Sequence, residues 1–163
     1  METKKFLERV LGDGYYSVLG LGDKKVQSFH TTIDDVISEA HKLDAQGINA
    51  YFGLATFQTG NDRTVTNVKS LSSFYLDLDC GEGKEYPNQN EAFVDLKRFI
   101  KETGLPRPML INSGYGVHVY WILTDSVSYS EWLPVAQGLK SMCIQHNLLA
   151  DNGVTADAAR VLR

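Results

Sequence analysis

The sequence predicts an α+β fold, because helical and strand patterns both recur along the chain. Apolar residues at helical spacing predict helices over residues 2–11, 33–42, 90–102 and 128–146. Runs rich in β-branched and aromatic residues predict strands over residues 15–21, 24–31, 49–56, 73–79, 108–112 and 117–123. The first two strands flank the turn residues 20–23 (GLGD), which indicates a hairpin.

Capping signals support two of these helices. Thr32 followed by Asp35 predicts the start of the second helix, and Ser128 with Glu131 predicts a capping box at the start of the last one.

Composition restricts the function classes. A chain of 163 residues with 43% hydrophobic residues suits one compact domain, here expected to have two modules. The net charge of −4 argues against a polyanion binder held by overall charge, although a local basic groove stays possible. Cys80 and Cys143 form neither a disulfide framework nor a zinc motif. No apolar run approaches the ~20 residues of a membrane span, so we expect a cytoplasmic protein.

An acidic pair ends one predicted strand, residues 73–81 (SFYLDLDCG). Side chains alternate along a strand, so Asp77 and Asp79 share one face and lie roughly 7 Å apart. Two carboxylates at this spacing repel each other and can bind a hard divalent cation such as Mg²⁺ or Mn²⁺. The pattern by itself also occurs where solvated acids end a strand, so it leaves both interpretations open.

Three further features follow the acidic pair. A glycine turn, residues 113–116 (SGYG), leads into a strand that carries His118. Apolar residues 148–150 lead to Asp151, and Arg160 and Arg163 come after it. Earlier in the chain, Arg63 lies in the polar loop 58–70, where a cation could meet phosphate.

Taken together, these features resemble the catalytic core of the archaeo-eukaryotic primase superfamily, most closely the phage and plasmid primase-polymerases. The resemblance runs from about residue 49 to the end. Its motifs are residues 73–81 (SFYLDLDCG), 113–121 (SGYGVHVYW) and 156–163 (ADAARVLR). The resemblance implies an RRM-like catalytic sheet packed beside an N-terminal α/β module. Residues 1–163 would be a single catalytic domain, and because the chain ends within an arginine-bearing strand we expect a fragment of a longer replication protein.

The resemblance also implies roles for individual residues. Asp77 and Asp79 match the metal-binding pair, and Asp151 matches the third carboxylate, with Asp157 as the alternative third ligand. Mg²⁺ or Mn²⁺ is the implied cofactor. Contacts with the nucleotide are implied for His118, for the turn residues Ser113, Gly114 and Gly116, and for the basic residues Arg160, Arg163 and Arg63.

The implied function is template-directed nucleotidyl transfer that synthesises and extends primers on single-stranded DNA during phage or plasmid replication. Nucleoside triphosphates, template and primer are the expected partners, together with a replicative helicase domain in the full-length protein, in the cytoplasm of a bacterial host.

Two alternatives stay open. The first is a noncatalytic nucleic-acid-binding or replication-initiator module with the same fold, in which Tyr75 and Tyr120, on the faces of the acids and of His118, would stack bases. An initiator nuclease would need a tyrosine beside paired histidines, and only one histidine is suitably placed.

Overall fold

A computed structural model describes residues 3–163 and confirms the mixed helical and strand character. The helices are α1 (Thr3–Val10), α2 (Ile33–Asp44), α3 (Gln89–Thr103) and α4 (Tyr129–Gln145). The strands are β1 (Tyr16–Leu21), β2 (Lys25–His30), β3 (Asn49–Gly53), β4 (Ala55–Phe57), β5 (Val68–Asp79), β6 (Met109–Asn112), β7 (Gly116–Val127) and β8 (Val161–Leu162). Among these helices, none has the length and hydropathy needed to cross a membrane.

The strands form two sheets, with the orders β2-β1-β3-β8 and β4-β5-β7-β6. The chain divides into two compact units. The first unit comprises the residues up to 72 together with 124–130 and 158–163, and the second comprises residues 73–123 and 131–157. All predicted acidic ligands and His118 therefore belong to the second unit.

The first unit contains the predicted hairpin and the predicted helix start. β1 and β2 pair in antiparallel register, with Tyr16 opposite His30. Thr32 is the N-cap of α2, and its side chain accepts a hydrogen bond from the Asp35 N–H at 3.1 Å. Such a cap satisfies an amide that has no partner inside the helix.

The prediction of one strand over residues 49–56 is wrong. The chain leaves the first sheet after β3 and enters the second sheet as β4, and Leu54 separates the two. The Leu54 N–H donates to the Arg160 carbonyl at 3.1 Å, beside the point where β8 pairs with β3. Because that partner lies about a hundred residues away, the local apolar pattern did not reveal the break.

The second unit is built around an apolar core that β5 shares with both helices of the unit. Leu76 and Leu78 from β5 belong to one buried cluster with Phe99 from α3 and Cys143 from α4. α3 begins at the N-cap Asn88, whose side chain accepts from the Glu91 N–H at 3.1 Å. The core therefore holds one face of β5 and leaves the other face to carry the acids.

Candidate active site

The acidic strand alternates as predicted. Leu76 and Leu78 are fully buried, whereas Asp77 and Asp79 are each half-buried on the opposite face. Burial of the leucines fixes the direction in which the strand presents its acids. Asp77 and Asp79 therefore lie on the same face of β5.

Asp151 lies beside the acidic strand. Its N–H donates to the Asp77 carbonyl at 2.9 Å, and its Oδ1 accepts from the Gly153 N–H at 2.7 Å. The alternative ligand, Asp157, belongs to the same unit, and its carbonyl accepts from the Tyr75 hydroxyl at 2.8 Å. The backbone of Asp151 is thus hydrogen-bonded to Asp77, one acid of the pair.

His118 lies on β7 with its Nε2 at 3.7 Å from the Asp77 Oδ1. Only 4% of the residue is exposed, and burial lowers the pKa of His118 to about 4, although the charge of Asp79 acts in the opposite direction. The ring is therefore neutral near pH 7. Its buried Nδ1 meets no hydrogen-bond partner among residues 3–163.

The glycine turn before His118 is closed by its own backbone. The Ser113 N–H donates to the Gly116 carbonyl at 3.1 Å. Gly114 has a φ of 89°, in the left-handed region that favours glycine, and its N–H donates to the Asn112 Oδ1 at 2.8 Å. The turn is thus a defined structure at the start of β7.

This turn packs directly on the backbone of the acidic strand. The Cys80 N–H donates to the Tyr115 carbonyl at 2.8 Å. A Cβ at Gly116 would lie 2.3 Å from the Leu78 carbonyl oxygen, so any side chain there would collide with the strand. The glycine therefore allows the turn and the acidic pair to come close together.

A lysine that the sequence analysis did not select contacts the acidic pair. The Lys84 Nζ lies 2.9 Å from the Asp79 Oδ2. This hydrogen bond and the charge of Asp79 raise the pKa of Lys84, and the charges of Asp77 and Asp151 act in the same direction. The signal available in the sequence was the pair of glycines at 81 and 83, which lets a loop fold back onto the strand it follows.

The three predicted arginines belong to the first unit. The Arg63 Nη1 donates to the Ala159 carbonyl, which ties the polar loop to the segment that carries Arg160 and Arg163. A nucleotide site shared by these arginines and the carboxylates of the second unit stays a prediction.

The expectation that Tyr75 and Tyr120 present rings for base stacking is wrong. Tyr75 is 0% exposed and Tyr120 is 1% exposed. The Tyr75 ring lies 5.6 Å from that of Trp132, centroid to centroid, within the second unit. Because stacking requires an open ring face, neither residue can serve as a platform for a base.

The donors suit a divalent cation in their chemistry. Mg²⁺ and Mn²⁺ favour carboxylate oxygens, and a positive group, the Lys84 ammonium, already lies among the three carboxylates. In their present positions, however, no three His, Cys, Asp or Glu side chains of residues 3–163 are grouped to hold one metal ion. Binding of one ion by three of these groups therefore requires their side chains to move.

The architecture is similar to that of archaeo-eukaryotic primase-polymerase domains. The solved archaeo-eukaryotic primase (AEP) domain of the cyanophage S-2L primase-polymerase matches with a TM-score of 0.63 over 92% of this chain and 72% of that domain. The two sequences are 15% identical, so the likeness establishes the fold alone. No family model matches the sequence, and no curated protein matches it. The RRM-like character of the catalytic sheet stays a prediction.

Proposed function

We propose that this chain is a metal-dependent nucleotidyltransferase that synthesises and extends primers on a single-stranded DNA template. One observation carries the proposal. In a fold shared with a phage primase-polymerase domain, Asp77 has His118 at 3.7 Å from its carboxylate and Asp151 hydrogen-bonded to its carbonyl at 2.9 Å. A further acid and a buried histidine thus lie beside the strand that carries the acidic pair.

In this proposal Asp77, Asp79 and Asp151 hold Mg²⁺ or Mn²⁺. When bound, such ions stabilise the attacking 3′-oxygen and the leaving oxygen of an in-line displacement at phosphorus. Asp151 is preferred to Asp157 as the third ligand because its N–H is bonded to the carbonyl of Asp77. The carboxylates come from a strand and from a separate segment, which lets them approach an ion from different directions.

His118 is proposed to bind a phosphate oxygen of the incoming nucleotide. As a neutral ring it can donate one directed N–H without adding charge. The turn residues Ser113, Gly114 and Gly116 place backbone without bulky side chains next to it.

The arginines complete the proposed nucleotide site. Arg63, Arg160 and Arg163 would hold the β- and γ-phosphates or the template, because a planar guanidinium binds phosphate through two hydrogen bonds. The proposed setting is phage or plasmid replication in a bacterial cytoplasm, with a helicase domain in a longer protein.

The test is primer synthesis and extension on single-stranded DNA with Mg²⁺ or Mn²⁺. Asp77→Asn and Asp79→Asn should each lower the rate by about a thousandfold or more, since metal stabilisation of the transition state amounts to several kcal/mol. Asp125→Asn is the control: it changes an exposed aspartate near the end of β7, in the part of that strand that belongs to the first unit, and should leave the rate unchanged.

Circular dichroism checks that each variant is folded. Wild-type rates in either acid variant would contradict the proposal. A wild-type chain that binds oligonucleotides without synthesis at any metal concentration would favour the noncatalytic module.

A further inference from the structure

Lys84 lies on a closed loop that directly follows the acidic strand. The Gly81 N–H donates to the Tyr86 carbonyl at 2.9 Å, and the Tyr86 N–H donates to the Asp79 carbonyl at 3.3 Å. The Lys84 N–H donates to the Gly81 carbonyl at 3.1 Å, and Gly83 turns the chain with a φ of 73°. The backbone thus fixes where the Lys84 side chain begins, and the side chain turns back to the strand.

The Lys84 side chain also lines a cavity of about 380 Å³. Its other lining residues are Asp79, Gly83, Glu85 and the segment 149–152, which includes Asp151. The cavity therefore lies between the loop and the segment that carries the proposed third ligand. The Lys84 ammonium is within the electrostatic reach of all three proposed ligands.

The contact between Lys84 and Asp79 is suited to exchange. The two side chains are 50% and 38% exposed, and ion pairs at this exposure are weak. The Lys84 ammonium contacts the Asp79 Oδ2, and a divalent cation bound to the same carboxylate would be repelled by that ammonium because the two charges have the same sign. The ammonium and a divalent cation therefore compete for Asp79.

We propose that Lys84 is an internal counter-ion that holds Asp79 in the metal-free protein, and that a divalent cation displaces it in order to bind between Asp79 and Asp151. The inference rests on the proposed function, which assigns metal binding to these carboxylates. In the structure the Asp79 Oδ2 accepts a hydrogen bond from the Lys84 ammonium at 2.9 Å. Lys84 thereby sets the metal concentration at which the site fills.

The experiment measures binding of Mn²⁺ alone to the full chain, by electron paramagnetic resonance of the free ion and without nucleotide. Lys84→Met keeps the length of the side chain and removes its charge, and should bind Mn²⁺ about five- to tenfold more tightly, since a competing positive charge a few ångströms away is lost. Lys84→Arg keeps the charge and should bind no more tightly than wild type. Lys101→Met removes a charge from the last turn of α3 and should change affinity less than about twofold.

The outcomes separate this inference from the proposed function. Wild-type binding of Mn²⁺ with no gain in Lys84→Met overturns the inference alone. A gain that persists in the double variant Lys84→Met, Asp79→Asn places the ion elsewhere and also overturns it. If neither wild type nor Lys84→Met binds Mn²⁺, both ideas fail. A gain in affinity that depends on Asp79, in a chain that makes no primers, supports the inference and contradicts the proposed function.

Discussion

Gly116 shows how a single residue can decide the geometry of the site. Its missing Cβ is what lets the first residue of β7 approach the carbonyl of Leu78, between the two acids of the strand. The obstacle is backbone, which cannot rotate away as the end of a side chain could. The spacing between the histidine turn and the acidic pair therefore depends on glycine at this position.

We expect Gly116→Ala to lower the free energy of unfolding by about 2–3 kcal/mol, because the strands must separate to admit the methyl group. Gly138→Ala is the matched control. Gly138 lies within α4 with open space around it, so alanine should raise stability by about 0.5–1 kcal/mol through helix propensity. Urea denaturation measures both. Equal stability of Gly116→Ala and wild type would contradict the close approach.

At the residue scale, the sequence predicted what depends on a local pattern. The alternation of Asp77 with buried leucines and the turn at Gly114 follow from strand period and glycine conformation. The contact between Lys84 and Asp79 was not predicted, because it depends on how the loop after β5 folds back onto the strand. The burial of Tyr75 and Tyr120 was not predicted, because the alternation of side chains along a strand does not show whether both faces of that strand are covered.

Tyr86 connects three elements of the second unit through its hydroxyl. The hydroxyl donates to the Asp95 Oδ2 on α3 at 2.6 Å and accepts from the Leu149 N–H at 3.0 Å. Asp95 is also paired with Arg98, whose Nη2 donates to the His146 carbonyl just after α4. The loop of Lys84, helix α3 and the segment leading to Asp151 are thereby held together.

We expect Tyr86→Phe to lower the free energy of unfolding by about 1–3 kcal/mol, because the Asp95 carboxylate loses a charge-assisted hydrogen bond and the Leu149 N–H loses its acceptor. Tyr15→Phe removes a hydroxyl from a partly exposed ring and should change stability by less than about 0.5 kcal/mol. Thermal denaturation followed by circular dichroism provides the measurement. A Tyr86→Phe melting curve that overlays wild type would show that the hydroxyl is not a structural link.

Elements whose determinants are local were predicted well. The hairpin of β1 and β2 and the start of α2 depend on residues within a few positions of each other. The division of residues 49–56 between two sheets depends on β8, which contributes only two residues and pairs at Phe52 and Gly53. A two-residue strand has too little pattern to be recognised in advance.

At the scale of the whole molecule, the two cysteines report on global unfolding. Cys80 and Cys143 are both buried, and burial raises the pKa of both thiols, to about 12 for Cys143. The ordinary value for Cys143 is 9.0, so below about pH 9 its thiol is protonated in both states and its contribution to stability is fully present. Above that pH the unfolded chain ionises first, and the contribution is lost as the pH rises towards 12.

We therefore expect the native protein to react slowly with a thiol reagent at pH 8, since the thiolate fraction of Cys143 is lowered about a thousandfold and the side chain is enclosed. Protein unfolded in urea should react quickly at two thiols, the full number in the sequence. Cys80→Ala isolates the signal of Cys143. Two fast thiols in the native protein would contradict the burial of these residues.

The overall class of fold could be predicted, whereas the residues that make up each of the two units could not. Helical and strand periods indicate α+β content, and the order of motifs indicated the superfamily whose fold the solved phage domain shares. The first unit, however, also includes residues 124–130 and 158–163, which come from later parts of the chain. The inclusion of these later residues depends on packing between distant segments, which neither the composition nor the hydrophobic periodicity of the sequence encodes.

The pairing of Lys84 with Asp79 has a consequence for the proposed nucleotide site. Three carboxylates against one ammonium leave two negative charges among these side chains, and the neutral His118 adds none. In the proposed function, phosphate oxygens that approach these carboxylates without a cation meet charges of their own sign and are repelled. A nucleoside triphosphate that carries a divalent ion has much of its charge cancelled, so in the proposed function the carboxylates favour the metal-complexed nucleotide.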